Sequence, residues 1–218
     1  KILLKDSWPL ILSGLAIMVY MRIDQIMLGQ MLGDEAVGIY SAAVRISEVW
    51  YFVPMAIVAS VFPSIIEAKK QSEALYYERL QKLYDLMTLL ALGVALSMTL
   101  MSDWLIALFY GDGYFGAGTV LALHVWTGLF VFMGVASGRW YLSENLQKLA
   151  FTRTLSGALI NILANVLLIP EYGVQGAAVG TLLSQMAAAY LFDLLHPKTR
   201  AVFWMKSKSF VPFFRYKV

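Results

Sequence analysis

"YMRIDQIMLGQMLGDEAVGIYSAAVRISEVWYF", residues 20–52, decides the fold. Both halves are apolar at a length and composition suited to lipid, and Gly33-Asp34 stands between them where an antiparallel helix pair would turn. Four charges interrupt it: Arg22 and Asp24 before the turn, Arg45 and Glu48 after it. About nine strongly apolar residues at ~0.3–0.6 kcal/mol each only balance two charges that each cost up to ~3.5 kcal/mol near the bilayer centre. These charges therefore need partners or a polar interior.

The rest of the chain extends the same pattern. Its 218 residues are 60% hydrophobic and only 14% charged, and the mean hydropathy is +0.68. That composition lies outside the soluble range and indicates an all-α polytopic membrane protein. With no cysteine there is no disulfide and no thiolate metal site. The first residue is Lys1 and no signal-peptide pattern follows, so a longer reading frame with further sequence upstream is expected.

Six apolar stretches of spanning length fall at Ser7–Gln30, Val37–Ile66, Tyr84–Phe109, Thr119–Ser143, Leu149–Ile169 and Gly176–His196, giving a six-helix lobe over residues 1–196. The breaks "MLGDEA", "GDGYFGAG" and "PEYGV" carry no Lys or Arg. The breaks "EAKKQSEALYYERLQK" and "SENLQKLAFTR", both termini and Arg139 hold every basic residue except Arg22 and Arg45. By the positive-inside rule both termini are cytoplasmic. Within the longest break, Glu67–Leu83, the helical spacing of Leu75, Tyr76, Leu80 and Leu83 predicts an interfacial amphipathic extension. Residues 197–218 mix six Lys and Arg with aromatics directly after a span. They read as a cytoplasmic tail at the lipid surface rather than a nucleic-acid arm.

An antiparallel turn at Gly33 brings Arg22 level with Arg45, and Asp24 level with Ala43. Asp24 with Arg45 and Arg22 with Glu48 are then possible pairs, yet residues two apart on a helix face opposite ways, so one interface cannot hold both. Two readings stay open: a salt-bridge staple between adjacent helices, or charges lining a pathway. A second polar group lies in the last two helices. Asn161 and Asn165 are one turn apart, and a hairpin centred near Tyr172-Gly173 brings Thr181 level with them, at the depth of Asp24. Converging oxygens of this kind suit a hard monovalent cation such as sodium, and equally suit interhelical hydrogen bonding. Gly176, Gly180, Ser184 and Ala188 form a close-packing stripe at intervals of four. His124 and His196 read as packing and interface residues.

"DQIMLGQMLGDEAVGIYSAAVRISE", "YGDGYFGAG" and "NILANVLLIPEYGVQGAAVGTLLSQ", in that order and spacing, resemble the C-terminal lobe of oligosaccharide flippases, the O-antigen and polysaccharide exporters of the superfamily that also holds multidrug extruders and lipid II flippases. The resemblance covers nearly the whole chain. It implies a bacterial cytoplasmic-membrane transporter of two lobes, its N-terminal lobe outside this sequence, that moves undecaprenyl-diphosphate-linked oligosaccharide outward by alternating access. A sodium site of the lipid II flippases carries over to Asp24, Asn161, Asn165, the Ala177 carbonyl and Thr181, with Asn165 standing where that pattern has Asp. The lost carboxylate leaves proton coupling through Asp24 or Glu48 as the alternative. For the substrate pathway the resemblance adds Arg139, with Lys148 and Arg153, as receivers of the diphosphate beside Arg22, Asp24, Arg45 and Glu48.

Two other function classes remain. A cation-coupled drug extruder of the same superfamily differs in the polarity of its central cavity. A membrane-embedded glycosyl transferase or polymerase is the weaker reading, because the outer breaks offer only Asp34, Glu35, Asp112 and Glu171, without metal-ligand spacing. The chain is therefore read as a transporter and not an enzyme, with lipid-linked oligosaccharide and membrane lipids as partners, no nucleic acid, and no cofactor beyond a coupling sodium ion or proton.

Overall fold

Gly33 makes the expected turn. In the computed structural model, which describes residues 22–211, it takes φ 89° and ψ −178°, a conformation glycine reaches without steric cost, between α1 (Ile23–Leu32) and α2 (Asp34–Glu48). Asp34 and Glu35 occupy the first turn of α2, where their charge complements the helix dipole. A 3₁₀ turn, Val49–Tyr51, carries α2 into α3 (Phe52–Gln71), so that residues 34–71 form one span. Ser72 then breaks the helix with an extended backbone, and its hydroxyl accepts from the Leu75 amide to cap α4 (Glu73–Tyr110).

The amphipathic extension expected at Glu67–Leu83 is thus no separate element. Its two parts are the end of α3 and the first turns of α4, with Tyr76, Leu80 and Leu83 buried inside the bundle. Their helical spacing was set by a protein core, not by a lipid surface.

α5 (Ala117–His124) and α6 (Thr127–Ser143) make the central span, 61% of whose apolar window is buried, against 22–28% in the other three. The remaining three expose large apolar side chains such as Leu100, Phe109 and Leu167. An outward apolar surface of that extent suits hydrocarbon rather than water.

α7 (Gln147–Met186) is two arms. Gly173, at φ 57° and ψ −136°, reverses the chain, and the arms meet so closely that a Cβ on Gly176 would lie 2.3 Å from the Leu168 carbonyl oxygen and one on Gly180 2.5 Å from Asn165 Oδ1. On a straight helix Gly176 would stand about 12 Å along the axis from Leu168. The two glycines of the small-residue stripe make this contact, while Ala188, further along it, lines a cavity. A π turn (Ala187–Leu191), α8 (Phe192–Leu195) and α9 (Arg200–Ser209) follow.

The fold is all-α, with no strand among the described residues. Four helices there are long and apolar enough to cross a membrane: Asp34–Gln71, Glu73–Tyr110, Ala117–Ser143 and Gln147–Leu195. The expected stretches Val37–Ile66, Tyr84–Phe109 and Thr119–Ser143 fall within the first three, and Leu149–Ile169 and Gly176–His196 occupy the two arms of the fourth. Ser7–Gln30 lies mostly outside the described residues. The segment read as a surface tail differs from that reading: α9 packs against α4, and Val202, Met205, Lys206 and Ser209 are buried.

The core has two parts. One gathers Leu28, Tyr40, Val44, Leu121, Ile169 and Ala177 near the Gly33 and Gly173 turns. The other gathers Phe62, Tyr84, Met133, Trp140, Tyr141 and Val202 toward the opposite end, where Lys69 bonds Glu144 at 2.6 Å.

Candidate functional site

The end of α1, the middle of α2 and the two arms of α7 converge on one carboxylate. Asp24 is buried, and its Oδ1 accepts from Asn165 Nδ2 at 2.6 Å. Its Oδ2 accepts from Thr181 Oγ1 at 2.6 Å and from the Tyr40 hydroxyl at 3.0 Å. Asn165 Nδ2 also lies 3.2 Å from Asn161 Oδ1, and Thr181 Oγ1 lies 3.0 Å from the Ala177 carbonyl oxygen. All five residues of the expected cation group therefore meet.

Tyr40 is the member that sequence reasoning missed. Levelling Asp24 with Ala43 misjudged the depth by one helical turn; Tyr40, three residues nearer Gly33, is the true neighbour. Two atoms of the cluster have no partner, Asn161 Nδ2 and Asn165 Oδ1, both buried. Unpartnered amide atoms in a buried cluster are uncommon, and these leave one free donor, Asn161 Nδ2, and one free acceptor, Asn165 Oδ1, beside Asp24.

A cavity of about 230 Å³ starts at this cluster and runs between the two parts of the core. Asp24, Tyr40 and Thr181 line one end, Glu48, His124, Thr127 and Gln185 follow, and Arg153, Thr154 and Ala189 line the other end. His124 Nδ1 lies 3.0 Å from Ser47 Oγ and its ring meets Tyr40 edge-on, so the histidine fixes the wall that carries Tyr40. Thr127 is buried with its hydroxyl unpartnered. Acids thus stand toward one end and a guanidinium at the other, with neutral polar groups between. The volume is below the ~300–1,000 Å³ of pockets that enclose a drug-sized ligand, so these residues wall only part of a site for anything larger.

The seven pathway and diphosphate candidates separate. Glu48 and Arg153 line the cavity beside Asp24, whereas Arg22, Arg45, Arg139 and Lys148 are exposed and do not. Neither of the pairs expected in the opening segment is among the ion pairs of the described residues. For the Asp24–Arg45 pair the reason is physical: Asp24 takes its hydrogen bonds from three neutral donors on other helices, and Arg45 is exposed. Among the described residues no three His, Cys, Asp or Glu gather as metal ligands.

Known proteins resemble this chain. The family model described as "Polysaccharide biosynthesis protein" matches residues 1–69. A protein named probable flippase AglR, from Haloferax volcanii, is 32% identical over 199 residues, covering 86% of this chain and 40% of its own length. Another from the same archaeon, named probable low-salt glycan biosynthesis flippase Agl15, is 25% identical over 175 residues, or 80% of this chain and 37% of its own. The chain therefore spans about two fifths of the length of these curated relatives. No solved structure gives a significant match.

Proposed function

From the premise that the chain belongs to the polysaccharide and oligosaccharide flippase family, we propose that it forms the C-terminal lobe of a flippase carrying a lipid-linked oligosaccharide across the cytoplasmic membrane by alternating access. The observation that carries this reading is the polar cavity inside an otherwise lipid-suited bundle, which joins buried Asp24 to Arg153. A transporter needs such a polar route, because intramembrane ionisable groups are too costly to keep without one. The cavity is smaller than an oligosaccharide, which fits a substrate held between this lobe and an N-terminal one. Arg153 is the residue placed to receive phosphate oxygens of a polyprenyl-diphosphate carrier such as undecaprenyl diphosphate, for export of an O-antigen-type glycan. The distribution of Lys and Arg supports cytoplasmic termini.

Sodium is the proposed coupling ion. Asp24 supplies one carboxylate; Asn161, Asn165, Thr181 and the Ala177 carbonyl supply neutral oxygens, the donor chemistry of a hard monovalent cation. A half-turn of the Asn165 amide brings its unpartnered Oδ1 to the Asp24 side. Holding α1 against both arms of α7 would bias the lobe toward one packing, so that ion binding can drive the transition.

The test is complementation in cells lacking the gene. Wild type should restore the surface glycan, and Arg153→Gln and Asp24→Asn should leave lipid-linked oligosaccharide on the inner side at normal protein level. Unchanged glycan display in the deletion strain, together with lost resistance to organic cations, would instead identify a drug extruder.

A further inference from the structure

A second buried polar cluster lies at the Arg153 end of the cavity, built on α9, the segment whose composition reads as a surface tail. Lys206, fully buried, bonds Asp193 Oδ2 at 2.7 Å, and Asp193 Oδ1 accepts from the Tyr141 hydroxyl. The other two ammonium hydrogens go to Ser137 Oγ at 3.0 Å and to the Ala189 carbonyl inside the π turn. All three donors of the ammonium are thus used.

Ser137 is equally saturated. Its hydroxyl donates to the Gly134 carbonyl at 3.2 Å, and its two lone pairs take Lys206 and Arg153 Nη1, the latter at 2.8 Å. The Arg153 guanidinium also lies over the Tyr141 ring, 4.9 Å from its centre, and Tyr141 is the residue that bonds Asp193. Both supports of Arg153, a hydroxyl and a ring, are therefore themselves held by the Asp193–Lys206 pair. Gly134 and Ala189, the other backbone points of the cluster, line the cavity with Arg153.

We infer that Asp193 and Lys206 are positioning residues for the transport cavity, fixing Arg153 through Ser137 and Tyr141 and pinning the π turn in the cavity wall. The inference rests on the proposed role of Arg153 in binding substrate. Its function is geometric: a flexible arginine shared with water binds phosphate oxygens less well than one already held in place. Burial lowers the Lys206 ammonium and the Asp193 carboxylate restores part of the shift, leaving it at about 8. The C-terminal helix thereby becomes part of the binding apparatus.

The test needs no substrate. In the purified full-length protein, phenylglyoxal modifies accessible, unrestrained arginines, and mass spectrometry of the peptide holding Arg153 gives the rate. Ser137→Ala removes a direct partner of Arg153 and Lys206→Met removes the group that holds that partner, and each should raise the rate about threefold to tenfold. Should Lys206→Met fold poorly, the double variant Asp193→Asn/Lys206→Met removes the support without stranding a buried charge and should give the same increase. Val202→Ala loosens α9 without touching the polar chain and should leave Arg153 near its wild-type rate. An unchanged rate in the double variant, or an equal increase in Val202→Ala, would overturn the inference. A normal glycan in cells carrying Arg153→Gln would strike at the proposed function instead, and is read separately.

Discussion

Asp24 and Asp193, two of the three buried carboxylates among the described residues, face the same problem and meet different solutions. Asp193 is bonded to an ammonium whose three hydrogens are all used and to the hydroxyl hydrogen of a phenol. Among the described residues Asp24 forms no ion pair; neutral donors surround it, and an amide oxygen next to it has no partner there. A saturated ion pair has one stable arrangement and serves as a rivet. A carboxylate held only by hydroxyls and amides that also carry lone pairs can exchange those donors for a cation, which is what a site that binds and releases an ion requires.

Breaking the rivet should have the largest effect. Asp193→Leu leaves a buried ammonium unpaired and should cost about 3–5 kcal/mol, read as a large drop in the unfolding midpoint of the detergent-purified protein. Asp193→Leu combined with Lys206→Met should recover most of that loss, because an apolar pair replaces an ionic one. A double variant as unstable as the single would show that the ion pair's geometry, not charge balance, holds α9.

At the other cluster the expected change is ion-dependent. Sodium at 100 times its dissociation constant should stabilise wild type by ~2.7 kcal/mol, and Asp24→Asn should abolish the effect while folding normally. Equal stabilisation by potassium, or a sodium effect that survives Asp24→Asn, would make the cluster a second rivet. Gly180→Ala should act at intermediate strength, about 1–3 kcal/mol, because the new methyl meets Asn165 Oδ1 at 2.5 Å and pushes the amide against Asp24. Tyr40→Phe removes one donor from Asp24 and should cost about 1 kcal/mol while sharpening the sodium response, since one competitor for the carboxylate is gone. Lys69→Ala breaks a partly exposed ion pair with Glu144 at the bundle end and should change stability by less than ~1 kcal/mol, with no sodium dependence.

The same two clusters mark what the sequence could reveal. Asn161, Asn165 and Thr181 were legible because glycine turns and a spacing of four fix both depth and face once the hairpin is placed. Most helices were legible from hydropathy and from Gly33, Gly111 and Gly173. Lys206 was not. It lies 13 residues beyond Asp193, across the His196-Pro197 break, in a stretch whose charge and aromatic content resemble a membrane-surface segment. Only the tertiary return of α9 shows that one of its lysines turns inward. Arg22 and Arg45 misled in the opposite sense: position within an apolar run suggested burial, yet both are exposed. Tyr40 escaped because a tyrosine in such a run carries no contrast with its neighbours.

The π turn at Ala187–Leu191 is in effect one extra residue in a helix, and it sets phase. Each residue of an α-helix advances about 100° around the axis. Deleting Ala188 would straighten the turn and rotate the segment after it by about that angle, carrying the Asp193–Lys206 pair as a unit away from Tyr141 and Ser137, which lie before the turn.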